Sequence, residues 1–205
     1  MRNAFITPPP TPTQIVSQKT HGADNFGIDL PLTGSPGIEC RTGGASGNHQ
    51  VKVTFTVPVT FTFAGVTSGT GSVTNASGSG TTTVTVNLTG VANAQTITVT
   101  LFGVDDGTDT GNLGIPMGVL LGDTNGNKSV NSSDVSQTKS KSGQAVSANN
   151  FRTDVTVSNS INSSDVSLVK SKSGTALPST QLGDSLSGRR QRPSRAPRCW
   201  GRCRL

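Results

Sequence analysis

The chain carries one pattern twice. The first copy, GDTNGNKSVNSSDVSQTKSKSG, runs from Gly122 to Gly143, and the second, DVTVSNSINSSDVSLVKSKSG, from Asp154 to Gly174. Aligned on SSDVS, Asp134 falls on Asp165, 31 residues later, and the twelve-residue segments beginning at Ser132 and Ser163 agree at 10 positions. Self-similarity at this level marks a duplicated supersecondary unit. Each copy places oxygen-bearing side chains in steps of two, then a carboxylate, then a stretch that can form a short helix.

That spacing is the chemistry of a hard cation. Calcium takes about six to eight oxygen ligands, and a twelve-residue loop supplies them from its positions 1, 3, 5, 7, 9 and 12. In the first copy these positions are Asp123, Asn125, Asn127, Ser129 (through its carbonyl), Asn131 and Asp134. In the second they are Asp154, Thr156, Ser158, Ser160, Asn162 and Asp165. Thr156 and Ser158 offer neutral hydroxyls, poorer calcium ligands than Asp or Asn, so the second site is expected to be the weaker. Gly126 lets the first loop bend between ligands. Position 6, glycine in a usual EF-hand, is Lys128 in one copy and Asn159 in the other. Asn tolerates a left-handed backbone more readily than Lys. The helix expected after each loop is short and polar, and in SSDVSQTKSKSG only Val135 is a clear apolar anchor. Such a helix is marginal alone, so a bound ion is expected to supply stability. Gly143 and Gly174 fit helix C-terminal caps.

Two calcium loops, each followed by one helix and neither preceded by one, resemble a type I dockerin over roughly Leu121 to Pro178. The resemblance implies a non-catalytic module of an extracellular bacterial protein, linked to polysaccharide degradation, with Ca2+ as its cofactor and a cohesin-like domain as its partner. In that family a Ser/Thr pair at loop positions 10 and 11 and a following basic residue contact the partner. The matching residues are Ser132, Ser133 and Lys139, and again Ser163, Ser164 and Lys170.

Upstream, the signal changes to period two. In VKVTFTVPVTFTF every odd position is apolar and every even one is Lys, Thr or Pro. This predicts one buried face of Val51, Val53, Phe55, Val57, Val59, Phe61 and Phe63. Pro58 cannot donate to a strand ladder, so it marks an edge or a bend. Val84, Val86 and Leu88 alternate likewise, as do Ile97, Val99 and Leu101, and the Gly-rich turns TSGTGS and NASGSG separate the runs. KTHGADNFGIDLPLTGSPGIECRTGG suits brief strands, FGVDDGTDTGN an exit loop, and IPMGVLLG a last strand. The expected fold is mostly β with a small α module: an antiparallel Ig-like β-sandwich over 15–120, then the calcium module over 121–178. Residues 1–14, rich in Pro and Thr, read as a disordered linker, and 179–205 as a disordered Arg-rich tail.

Charge separates the tail from the body. The net +6 comes from seven Arg and one Asp after Pro178, while residues 1–178 hold 10 Lys/Arg and 10 Asp/Glu. The neutral body gives no reason to expect a nucleic-acid partner. The tail itself reads either as a basic arm for anionic surfaces or as a segment without selected function, such as translation through a shifted frame. No apolar run of 18 residues exists, so no membrane-spanning helix is expected. The start shows no signal peptide, and an extracellular or cell-surface location follows only from the resemblance.

Other chemistry is thinly supported. Asp105, Asp106 and Asp109 could hold a calcium or simply form a polar loop. They and the other carboxylates lie in short Gly-rich loops, and with aromatics at 4% of the chain there is little to stack a sugar, so glycoside hydrolysis is not expected. His21 and His49 lack Cys or Glu neighbours and are expected at the surface. Cys40 reads as a small buried or half-buried thiol, while Cys199 and Cys203 lie in the tail, and three cysteines make no disulfide framework. The function read from the sequence is calcium-dependent protein docking, not catalysis. Two alternatives stay open: a calcium-stiffened structural module of a surface protein, or a fragment of a polysaccharide-degrading enzyme without its catalytic domain.

Overall fold

The computed structural model describes residues 8–178. The Arg-rich tail, with Cys199 and Cys203, and the first half of the expected linker lie outside the described residues. Nine strands precede two helices: β1 (Gln14–His21), β2 (Asp24–Asp29), β3 (Ile38–Glu39), β4 (His49–Val59), β5 (Phe63–Ser68), β6 (Ser72–Ser77), β7 (Thr81–Thr89), β8 (Gln95–Asp105), β9 (Thr110–Val119), α1 (Ser132–Lys141) and α2 (Ser163–Lys172). A 3-10 turn over Phe151–Thr153 lies between the helices.

The strands form two sheets, ordered β2-β1-β4-β7-β6 and β3-β9-β8-β5. Threonine and valine alternate along β4, β7 and β8, so each strand has one wet and one dry face. The dry faces meet in register. Val51 lies opposite Val86 and Val53 opposite Val84, while Ile97 faces Met117 and Val99 faces Ile115 in the other sheet. These side chains join one buried apolar cluster contributed by both sheets. All named pairings are antiparallel except β3 with β9, which is parallel over two residues.

Three expectations need correction. The predicted single face from Val51 to Phe63 holds only in part. Val51, Val53, Phe55 and Val59 are buried, but Val57 is 46% and Phe63 53% exposed. The register of β4 against β7 slips between Thr54 and Val59, a bulge around Pro58 that breaks the two-residue period. Phe63 then opens a new strand and stacks on Phe102 at 4.3 Å. Next, FGVDDGTDTGN is a hairpin turn and not an exit loop. The Asp106 carboxylate accepts the N–H groups of Thr108 and Asp109, and Asp105 accepts that of Gly107, so both side chains close the β8–β9 turn. Finally, the expected linker over 1–14 does not hold at its described end. Pro10 is buried, Thr13 donates its N–H to the Thr54 carbonyl at 2.7 Å, and Gln14 already belongs to β1.

A second apolar cluster joins the sheets to the helices. Ile38 and Leu120 from the β part pack with Val130, Val155 and Val169 from the repeats. α1 itself buries Asp134 and Thr138, with Val135 only half-buried, whereas α2 buries Asp165, Val166 and Val169. Each helix is followed by a left-handed glycine, Gly143 at φ 85° and Gly174 at φ 91°, as the capping pattern predicts. Those glycines cross between the repeats. Gly143 donates to the Ile161 carbonyl and Gly174 to that of Val130, the eighth residue of the opposite loop in each case.

Candidate functional site: the paired loops

Both loops close around their own aspartates. Asp123 is fully buried and accepts backbone N–H groups from Gly126, Asn127 and Lys128 at 2.8–3.0 Å. Asp134 is also fully buried and accepts from the N–H groups of Asn125 and Asn131. The remaining candidates link these anchors. Asn127 N–H donates to the Asn125 side chain, Ser129 donates to the Asn127 side chain, and the Asn131 amide donates to the Ser129 hydroxyl. The structure therefore gathers Asp123, Asn125, Asn127, Ser129, Asn131 and Asp134 into one ring of oxygen donors. Asn125 and Asn127 are exposed, which leaves the mouth of the loop open to solvent.

The second loop repeats the plan with hydroxyls. Asp154 accepts N–H groups from Ser158 and Asn159, and Asp165 those of Thr156 and Asn162. The Thr156 hydroxyl donates to Asp165 at 2.8 Å and lies 3.3 Å from Asp154. Ser158 donates to the Ser160 carbonyl, and the Asn162 amide reaches Ser160. Asn131 and Asn162 each cap the helix that follows, in a capping box completed by Asp134 or Asp165. Position 6 is left-handed in both loops, with Lys128 at φ 75° and Asn159 at φ 64°. Position 4 is left-handed too. Gly126 serves in the first loop at φ 76°, but in the second the residue is Val157, at φ 57°.

The donor chemistry fits a hard divalent cation. Two buried carboxylates converge in each loop, and their neighbours are amide, hydroxyl and carbonyl oxygens. Among the described residues, an ion pair joins Arg41 to Glu39 and His21 bonds Asp154, so no side-chain cation pairs with Asp123 or Asp134. Burial pushes the Asp123 carboxyl above its ordinary range, and the charge of Asp134 adds to this against the backbone hydrogen bonds. A cation would remove that penalty. Among the described residues no three His, Cys, Asp or Glu side chains are grouped so as to hold a metal ion by themselves, because each loop draws most of its oxygen from Asn, Ser, Thr and the backbone.

Residues 121–172 match the family described as Dockerin type I domain. Domains of that family bind calcium and dock onto cohesin domains, and they typically occur in secreted proteins. Neither the curated proteins nor the solved structures yield a match to the chain. On the matched segment Ser132, Ser133, Lys139, Ser163, Ser164 and Lys170 are all exposed. No helix among the described residues is long and apolar enough to cross a membrane.

Both histidines contradict the expectation that they are surface residues, because His21 is fully buried and His49 is 5% exposed. His21 places Nδ1 2.7 Å from Asp154 Oδ2, against the second loop. Arg41 Nη1 points at His21 Nε2 from 3.3 Å. Arginine can only donate, so Nε2 accepts and Nδ1 carries the proton given to Asp154. Burial pushes Asp154 upward, but the hydrogen bonds from His21, Ser158 and Asn159 outweigh it and hold the carboxyl below its ordinary range. Sequence reasoning missed this contact because 133 residues separate the partners and nothing local marks the pairing. Cys40 is buried, as one of its two readings had it, with its thiol 3.5 Å from the Arg152 carbonyl. Burial raises that thiol to about 11, so it is held as an inert thiol.

Proposed function

We propose that this chain is a calcium-ordered docking protein whose partner is a cohesin-like domain. Asp123, Asn125, Asn127, Ser129, Asn131 and Asp134 hold one Ca2+, and Asp154, Thr156, Ser158, Ser160, Asn162 and Asp165 hold the other. The ions supply positive charge to the buried carboxylates. The chain's own residues bind them and orient α1 and α2, so that Ser132, Ser133, Lys139, Ser163, Ser164 and Lys170 present the docking faces. The single observation that carries this reading is the dockerin family match over residues 121–172, laid on loops whose donors converge. The chain binds and does not catalyse, and its β part, an Ig-like scaffold, carries the module. Its setting is extracellular, with polysaccharide association through the system it serves.

A pull-down with a panel of cohesin-type domains tests this reading. Capture with calcium, lost with chelator and lost again on joint replacement of Ser132, Ser133, Ser163 and Ser164 by Ala, is the expected result. Equal capture with and without calcium would overturn it. A second reading, a calcium-stiffened structural module, draws on the buried joint between the β part and the second loop. It gains if calcium raises the melting temperature while no cohesin-type domain binds.

A further inference from the structure

The hairpin joining β1 to β2 ends at His21 and Gly22, and its tip presses on the second loop. His21 bonds Asp154, the first ligand position. Gly22, left-handed at φ 64°, lies so close to Asn159 at position 6 that a methyl group added there would collide with the Asn159 side-chain amide. Behind the tip, Phe26 stacks on Phe151 at 5.2 Å, three residues before Asp154. His21 is itself held from behind: Arg41 donates to it and forms two charge-assisted bonds to Glu39, with His21, Arg41 and Glu39 all buried. The first loop meets the β part differently, through Lys128 reaching Ser35, while Arg152, from the 3-10 turn between the repeats, donates to the carbonyls of Asp123 and Thr124. Among the described residues no β-part side chain bonds the carboxylate of Asp123, whose donors are backbone N–H groups of its own loop.

From this asymmetry we infer that the second calcium site is a joint site, in which the β1–β2 hairpin supplies the outer shell and His21 is the positioning residue for Asp154. The inference rests on the calcium reading above and adds a dependence that the repeats alone do not contain. The second loop is the poorer one by composition, with Thr156 and Ser158 where the first has Asn125 and Asn127. A carboxylate whose Oδ2 is fixed by His21 and the Asn159 N–H keeps Oδ1 aimed at the ring of Thr156 and Ser158 oxygens. The ordering that a flexible Asp would otherwise lose on binding is met in advance by the hairpin. By linkage, an ion in the second loop tightens the hairpin's seat to the same degree. The two parts of the chain are therefore coupled through one calcium site and not through both.

Calcium calorimetry on the full chain tests this, with Asp123→Ala as background so that the second site is read alone. Loss of an outer-shell partner typically weakens metal binding about 10- to 100-fold, and that loss is expected for His21→Ala. His21→Asn restores most of the affinity, because its amide N–H takes the place of Nδ1. Gly22→Ala, which leaves Asp154 and the Glu39–Arg41 pair intact, weakens the site by pushing the hairpin off Asn159. Hydrogen exchange gives a second readout: amides of Gly22 to Phe26 slow on calcium addition in Asp123→Ala and do not in Asp154→Ala. If the wild type binds no calcium at all, the calcium reading itself fails. If it binds two ions and His21→Ala and Gly22→Ala both stay within about twofold of their background, the joint site alone is overturned.

Discussion

Arg41 grips Glu39 with two parallel bonds, Nε to Oε1 and Nη2 to Oε2, each 2.8 Å long, and neither side chain has any exposed surface. The same guanidinium reaches the Phe26 and Ser17 carbonyls and lies 5.2 Å from the Phe151 ring. Breaking a buried pair by removing one partner typically costs about 3–5 kcal/mol, since the other charge is left uncompensated. Arg41→Met is expected to lose stability in that range, and Glu39→Gln somewhat less. Urea unfolding with and without calcium measures both.

Acid should weaken the protein in two steps. His49 is buried near Lys19 and Arg41. Burial, then the charge of Lys19, lowers it to about 4 from an ordinary 6.5, with Glu39 acting the other way. The unfolded chain therefore binds a proton at His49 before the folded one does, and stability falls as pH drops from about 6.5 toward 4. Glu39 follows. Burial raises it, but Arg41 outweighs burial and brings it to about 2 from 4.5. Its contribution is complete above about 4.5 and disappears as pH falls toward 2. Thermal melts in chelator across this range should show the decline. His49→Gln should flatten its upper part and leave the lower part unchanged.

The second loop stores backbone strain at Val157. A β-branched residue at φ 57° is a genuine outlier, and such positions cost on the order of 1–3 kcal/mol. Gly126 occupies the equivalent place without that cost. Val157→Gly gives back roughly 0.5–1 kcal/mol in unfolded-chain entropy, so a net gain of about 1 kcal/mol is expected. Urea unfolding, and tighter calcium binding at the second site in an Asp123→Ala background, would check it. No gain in either would show that the side chain contributes packing worth as much as the strain.

Leu120 ties the two parts together. It is fully buried in the cluster with Ile38, Val130, Val155 and Val169. Leu→Ala at such a site costs about 2–5 kcal/mol. Because the cluster spans both parts, Leu120→Ala should lower the melting of the sheets and of the helices together. Near-UV and far-UV signals that shift by different amounts would contradict this.

What the sequence disclosed follows from how local each signal is. The duplicated loops, their helices, the left-handed glycines after them and the Val/Thr alternation in β4, β7 and β8 are written within a dozen residues each, and they read correctly. Pro58 gave warning of a break, but the length of the buried face beyond it was overread, since a bulge shifts parity without changing composition. The hairpin at Asp105–Asp109 reads as a loop in the sequence because its acidic residues look alike whether they face solvent or close a turn. The joint between the parts was not legible. His21, Glu39 and Arg41 sit in a stretch of turns and short strands, and each looks like a surface residue until β3, the β1–β2 hairpin and the 3-10 turn at Phe151 bring them together.

Two oxygen-lined loops, each with two buried aspartates, are proposed to hold calcium. Calorimetric titration of the full chain, wild type beside Asp123→Ala and Asp154→Ala, tests it most directly. Two binding events are expected in the wild type and one in each variant. A hundredfold excess of ion over the dissociation constant should add about 2.7 kcal/mol per site, and each kcal/mol raises the melting point by roughly 2–4 °C. A flat titration, with a melting point that chelator leaves unchanged, would contradict it.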